Sequence, residues 1–218
     1  MLGLDKRLRA VVSQVEGQSL ADIGCDHGKV AVACLLQKKV KNAIASDISA
    51  PSLQKAKILA QKYCIQNIQF RLSSGFDGYV DGEVDNVVIA GMGAGEIKAI
   101  LSNIPSGISR FVLVAHADET MLRQFLQQHN FKLISDFVVD CKKHFYHIMT
   151  AVDGKETLTT TQLLLGKNDI QNVDYIAYLY YLQKKFSKIC AQVSDCVIKK
   201  DYFDKLEIVE NELKKVKN

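Results

Sequence analysis

Across its first two-thirds the chain alternates five short apolar, β-rich runs with stretches of helical character, and this alternation limits the possible fold more than any other feature. The runs cover residues 19–24 (SLADIG), 42–47 (NAIASD), 68–72 (IQFRL), 84–90 (VDNVVIA) and 111–115 (FVLVA). Largely apolar from end to end, they suit strands covered on both faces, as in a parallel sheet. Between them the helix candidates are residues 28–39, 51–63, 95–102 and 118–129, and the stretch MLGLDKRLRAVVSQVEG reads as one more amphipathic helix. Pro51, shortly after Ser49, is placed to open a helix because a first-turn proline gives up no needed N–H. Alternation of this kind predicts an α/β sheet wound by right-handed crossovers.

The pattern then changes. Residues 131–140 (FKLISDFVVD) and 144–153 (HFYHIMTAVD) are two strand-like runs joined only by Cys141-Lys142-Lys143. So short a link forces a hairpin, with the last strand antiparallel to its neighbour. A parallel sheet ending in such a hairpin resembles the layout of class I S-adenosylmethionine (AdoMet) methyltransferases, and a dinucleotide-dehydrogenase half has no reason to end this way. After residue 156 the strands stop. Ile176, Leu179, Leu182, Phe186, Ile189, Val193 and Cys196 form one helical stripe, and Tyr202, Leu206, Val209, Leu213 and Val216 a second, both at coiled-coil spacing. Lys199-Lys200-Asp201 between them is the expected turn of an antiparallel helical hairpin, the alternative being a helical pair packed flat on the main domain. The predicted organisation is a Rossmann-like AdoMet-binding domain over residues 1–155 and a helical coiled-coil appendage over 156–218.

Composition narrows the class further. With 218 residues, 48% hydrophobic, 24% charged and a mean hydropathy near zero, collagenous, disordered and disulfide-scaffold readings drop out. No apolar run approaches the ~18–20 residues that cross a bilayer, and the N-terminal stretch lacks a signal-peptide core, so a soluble, non-secreted, cytoplasmic protein is expected. The six cysteines show no CxxC pair and no metal spacing with histidine, which favours reduced thiols and no metal. A net charge of +4 permits a polyanionic partner without requiring one.

The chemistry is expected where strands end. The first run closes as Ala21-Asp22-Ile23-Gly24-Cys25-Asp26-His27-Gly28. Glycines at 24 and 28 allow a tight turn and close backbone approach, but the spacing is not that of a pyrophosphate-binding GxGxxG. Asp22 and Asp26 would repel a pyrophosphate and suit a ligand carrying an ammonium and a sulfonium, although a tight turn with solvated aspartates fits too. Asp47, ending the second run, is positioned for ribose hydroxyls of either nucleoside cofactor. Ile48 beside it is a candidate adenine neighbour or a core residue. The fourth run enters Gly91-Met92-Gly93-Ala94-Gly95-Glu96, a bend that offers backbone groups and room for a flat substrate, or only close helix packing. A ring nitrogen with a free lone pair needs positioning there rather than a strong base. His27 is the functional candidate among five histidines; those at 116, 129, 144 and 147 read as surface or strand residues. Arg7, Arg9 and Arg123 are candidate phosphate holders or simply solvated charges.

LDKRLRAVVSQV, ADIGCDH, ASDIS, VVIAGMGAGEI, MLRQFLQQHNFKLISD and FYHIM together resemble the bacterial tRNA (adenine-22-N1)-methyltransferase family over residues 2–153, and the C-terminal helical hairpin matches that family's layout. The resemblance implies AdoMet as cofactor and methylation of N1 of adenosine 22 in tRNA; a monomer is expected. By position it places Gly24, Asp26, His27, Asp47, Gly75 and Gly91 along the cofactor, with Asp22, Ile48 and Ser74 beside them. Gly91, Met92 and Tyr146 fall at the reaction centre in a positioning capacity, and Arg7 matches the family's N-terminal arginine. The chain departs from the family pattern at several points: Ser73-Ser74-Gly75 replaces Gly-Asp-Gly, Val114-Ala115-His116 replaces Leu-Gln-Pro, and Tyr146-His147 replaces Tyr-Glu. The competing readings are a class I methyltransferase for another RNA base or a small molecule, and a non-catalytic module that retains AdoMet and grips RNA or protein. A nicotinamide-dependent enzyme comes last.

Overall fold

The computed structural model describes residues 2–216. Seven strands form one sheet in the order β3-β2-β1-β4-β5-β7-β6: β1 (Ser19–Ile23), β2 (Asn42–Asp47), β3 (Ile68–Leu72), β4 (Asn86–Met92), β5 (Arg110–Ala115), β6 (Phe131–Cys141) and β7 (His144–Asp153). The first five are parallel, and β7 runs antiparallel to both β5 and β6; the expected hairpin forms, with Cys141 already paired to His144 and only Lys142-Lys143 in the turn. Register aligns Ile23 with Ser46 on one side and with Ile89 on the other. The carboxyl ends of β1, β2 and β4 therefore open at one rim, the place where open α/β sheets bind ligands.

Side-chain alternation splits the interior into two layers. Ala21, Ile23, Val87, Ile89, Phe111 and Leu113 pack against Ile97 of α4 (Ala94–Leu101) and Leu122 and Leu126 of α5 (Glu119–Gln128). On the other face, Leu20, Val88, Val112 and Val114 meet Val11 and Val12 of α1 (Lys6–Gln14), Ala31 and Cys34 of α2 (Lys29–Leu36) and Leu53 of α3 (Ala50–Lys62). Asp5 caps α1 by accepting the Leu8 N–H at 2.8 Å, and Ser49 caps α3, with Pro51 in the first turn as anticipated.

The C-terminal region comprises α6 (Thr160–Leu165), α7 (Val173–Gln192) and α8 (Cys196–Val216). Helices α7 and α8 pair through Leu179, Leu182 and Phe186 with Val209 and Leu213, while Val138 of β6 and Leu165 of α6 complete the same cluster. The expected turn at Lys199-Lys200-Asp201 is corrected: all three lie inside α8, and the chain reverses at residues 193–195. Asp195 accepts the N–H groups of Val197 and Ile198 at 2.9 and 3.0 Å, which fixes the helix start, and Asp201 pairs along the helix with Lys205.

Arg123 also needs correction. It is fully buried rather than free to hold a phosphate. Its Nε and Nη2 donate to the two carboxylate oxygens of Asp136 at 2.7 and 3.2 Å, Nη1 to the Leu163 and Leu164 carbonyls, and Nη2 also to His147 Nδ1 at 2.8 Å. Burial alone would raise the Asp136 carboxyl, but the Arg123 charge and the hydrogen bonds outweigh it and hold it below the usual range. His147 is depressed by burial first and by Arg123 second. Because arginine only donates, Nδ1 must accept, so the ring is neutral with its proton on Nε2. Gly166 closes over the pair at φ +81°, and a Cβ there would lie 2.8 Å from Asp136 Oδ1.

The same region seals the outer edge of β6. Lys167 N–H donates to the Asp136 carbonyl at 2.8 Å, Asn168 Oδ1 accepts from Val138 N–H at 2.7 Å, and Glu156 Oε1 accepts from Leu133 N–H at 2.6 Å. Removing one member of a buried pair strands the other. Arg123→Ala is therefore expected to lower unfolding free energy by about 3–5 kcal/mol in urea titration, whereas an Arg123→Met/Asp136→Leu double variant recovers most of the loss.

Candidate functional site

The rim where β1, β2 and β4 end carries a cleft of 430 Å³, lined by Asp5, Arg7 and Leu8 from the start of α1, by Asp22, Gly24, Cys25, Asp26, His27, Lys29 and Val30, by Ala90 and Gly91 of β4, and by His116 just past β5. The turn after β1 takes its shape from short-range constraints. The N–H groups of Gly24 and Cys25 both donate to the Ser46 carbonyl, at 2.8 and 3.0 Å, folding the turn back over β2. Gly28 opens α2 at φ +64°, where a Cβ would come within 2.7 Å of the Ala56 Cβ on α3. Only glycine allows α2 to start so close to α3.

Asp22 is buried beneath the turn and accepts the Ala31 N–H of α2 at 3.1 Å. Burial pushes its carboxyl up to about 7; the Ala31 hydrogen bond pulls it back, and the Asp47 charge adds to the rise. Asp47 ends β2 and binds the chain on both sides of itself. One carboxylate oxygen accepts Asp26 N–H at 3.0 Å, the other Ser49 N–H at 2.8 Å, and its carbonyl accepts Ser73 N–H at 3.1 Å. Asp26 is exposed, with His27 Nε2 3.4 Å from its carboxylate. Burial raises the Cys25 thiol and keeps it protonated.

At the end of β4 the pairing with β5 slips between Ala90 and Met92, so Gly91 stands in a bulge facing the cleft. Met92 is half-buried, its Sδ–Cε end turned toward Gly24. Arg7 lines the cleft, with its guanidinium carbon 5.0 Å above the Tyr146 ring, so those two sequence candidates meet. Arg9 is exposed and donates to the Leu4 carbonyl at 2.7 Å instead.

The remaining candidates lie on the far side of Asp47. Ile48 is 76% exposed, so its core alternative is excluded. Ser74 and Gly75 line a separate hollow of 260 Å³ with Phe76, Asp77, Ala99, Ile100 and Asn103. Asp47 links the two spaces, through Asp26 to the cleft and through Ser73 toward the hollow. The buried Ser73 Oγ has no hydrogen-bond partner among the described residues. Sequence reasoning missed Asp5 and His116 as lining residues. Position supplied the only available signal, since Asp5 caps the helix that begins at the rim and His116 directly follows a strand ending there.

The lining is amphoteric. Asp5, Asp22 and Asp26 can face cationic groups, and Arg7 and Lys29 a carboxylate. That donor set fits an amino-acid zwitterion attached to a sulfonium.

A family model described as a methyltransferase domain matches residues 4–149. A Mycoplasma pneumoniae protein that carries the provisional name tRNA methyltransferase is 31% identical over 81% of this chain and 86% of its own length. The tRNA (adenine(22)-N(1))-methyltransferase of Bacillus subtilis is 29% identical over 70% of this chain and 66% of its own. Among solved structures, that of Mycoplasma capricolum TrmK with S-adenosyl-homocysteine has a TM-score of 0.84 at 23% identity, covering 97% of this chain and 98% of that one.

The Asp22 carboxyl makes the fold pH-sensitive with a definite sign. Its pKa is about 7 in the folded chain against 3.8 as the ordinary value, so ionisation opposes folding. The penalty is absent below the ordinary value, grows as pH rises toward 7 and is complete above it. In thermal scans of the ligand-free protein, Asp22→Asn is expected to remove a Tm decline on the order of 5 °C across that window.

Proposed function

The chain belongs to the methyltransferase-domain family, and we propose on that premise that it transfers a methyl group from AdoMet to N1 of adenosine 22 in tRNA. The observation that carries the reading is the rim itself: Asp22, Asp26 and Gly91 of the bulge line one cleft, and Asp47 stands beside it, joined to Asp26 by a hydrogen bond. The tRNA acceptor rests on the names of the relatives, the provisionally named Mycoplasma protein and the Bacillus subtilis enzyme.

When bound, AdoMet supplies an electrophilic methyl group, which passes to the N1 lone pair as the carbon–sulfur bond breaks. Asp47 holds the ribose hydroxyls, and because both its oxygens already accept backbone N–H groups, its carboxylate is fixed before any ligand arrives. Asp26 and Asp22 offset the positive charge of the ligand. An ammonium near Asp22 favours its ionised form, so cofactor binding relieves the cost that burial imposes. Ile48 flanks the adenine of the cofactor, with Ser74 and Gly75 at its outer end. Gly91 and Met92 leave space at the reaction centre, and Tyr146 together with Arg7 walls one side.

No side chain at the bulge is placed as a strong base, and none is required. Adenine N1 carries a lone pair and loses no proton as it is methylated. Catalysis then rests on orientation and on support for the positive charge that develops on the ring. We further read residues 1–155 as the AdoMet-binding unit and 156–218 as a helical coiled-coil appendage, in a cytoplasmic monomer. No helix among the described residues is long and apolar enough to cross a membrane.

Incubating the protein with labelled AdoMet and an unmodified tRNA transcript should yield 1-methyladenosine, and replacing adenosine 22 in the transcript should abolish it. Methylation of bulk RNA lacking tRNA would point instead to another acceptor, and cofactor binding without transfer to any RNA to a binding module. By calorimetry, Asp47→Ala should weaken AdoMet binding about 100-fold, as expected for loss of charge-assisted bonds to two hydroxyls. Wild-type affinity in that variant would remove Asp47 from the site.

A further inference from the structure

A second and larger hollow, 690 Å³, lies between the β5–α5 connection, the β6–β7 hairpin and helices α7 and α8. Its walls carry Lys143, Lys185 and Lys205 together with Phe145, Tyr181 and Tyr202. Lys185 stands 5.8 Å over the Tyr181 ring and Lys205 5.0 Å over Tyr202. Cations set among aromatic faces suit unstacked nucleotides, whose phosphates and bases they meet respectively. Asp118 and Glu119 also line the hollow, near the start of α5.

His116 lines both this groove and the cofactor cleft. Its root is fixed, since its own N–H donates to the Met92 carbonyl at 2.9 Å. Its imidazole is exposed and forms no hydrogen bond among the described residues. The ring stands directly over the bulge, and a Cβ built on Gly91 would lie 3.7 Å from Nε2. A base entering the cleft from the groove must therefore pass the His116 ring, which borders both spaces.

On the reading that the acceptor is an adenine of tRNA, we propose that His116 is a specificity-determining residue that accepts a hydrogen bond from the N6 amine of the target base and so aims N1 into the cleft. The chemistry suits both partners. N6 and N1 flank the same ring carbon, so a group that holds the amine orients the lone pair. Methylation leaves the ring cationic, which makes the amine a stronger donor as the reaction proceeds. An acceptor placed there binds the transition state more tightly than the substrate. His116 replaces the proline of the Leu-Gln-Pro pattern in the family that this chain resembles, so the contact would be particular to this chain.

The test pairs His116→Ala with a tRNA carrying purine, which lacks the N6 amine, at position 22. Single-turnover methylation of normal tRNA should fall about 30- to 100-fold in the variant, while AdoMet affinity by calorimetry, tRNA affinity by filter binding and Tm remain near wild type. His116→Gln, which keeps an acceptor, should recover part of the rate. Purine also lacks the electron donation that the amine gives N1, a loss common to both proteins, so the wild-type protein should lose more on the purine substrate than the variant does, by about the factor that His116→Ala costs on normal tRNA. Equal sensitivity of both proteins to the purine substitution overturns the proposal, as does a wild-type rate in His116→Ala or a change in AdoMet affinity that matches the rate loss. If the wild-type protein fails to methylate the normal tRNA at all, the acceptor assignment fails first, and the proposal falls with it.

Discussion

At the outer end of the sheet, a buried guanidinium ties α5 and the end of α6 to the β6–β7 hairpin. Arg123 extends from α5 to the carboxylate of Asp136 on β6, the ring of His147 on β7 and two carbonyls at the end of α6. Removing a cation and an anion from water is tolerable only when nearly every proton and lone pair finds a partner. All five guanidinium N–H groups do so here. His147 suits this network because it adds an acceptor without adding charge. A glutamate in its place, as in the related pattern, would leave a net negative charge beside Asp136. The end of α6 is held against α5 by this cluster.

Parallel strands were easy to read because each is largely apolar and ends at a turn-forming residue. Asp22, Asp47 and Gly91 were legible for the same reason, since a strand end in such a sheet is already a rim position. Arg123 was not legible. On a helix it looks like any solvated arginine, and its partner Asp136 lies on a different element, so no local period could reveal the pair. The hairpin turn failed for a related reason. Three polar residues suggested a break, but Asp195, a single capping residue upstream, decides where α8 begins, and Asp201 is committed to Lys205. His116 was dismissed because neither metal spacing nor a carboxylate marks it. Only the bulge at Gly91 and the neighbouring groove give it meaning, and both are tertiary features.

The rim combines rigidity with electrostatic tension. The Asp47 carboxylate is locked by two N–H donors, yet the buried Asp22 sits close enough to feel its charge. A site assembled for folding alone would not place a carboxyl under a glycine turn with one hydrogen bond to satisfy it. Positive charge beside Asp22 would favour its ionised form and offset the cost that burial imposes.

The seal along β6 has a consequence for how copies of this chain treat one another. A strand at the margin of a sheet normally presents a ladder of free amides and carbonyls that any other extended segment can join, a common route to aggregation. Here Lys167, Asn168 and Glu156 have already occupied that ladder at Asp136, Val138 and Leu133. Because those three residues follow β7 in the chain, the margin stays open until they have been synthesised and laid down. The segment leading into the C-terminal helices thus acts as an internal chaperone for the strand it covers, and a chain cut short before it would emerge with an adhesive edge.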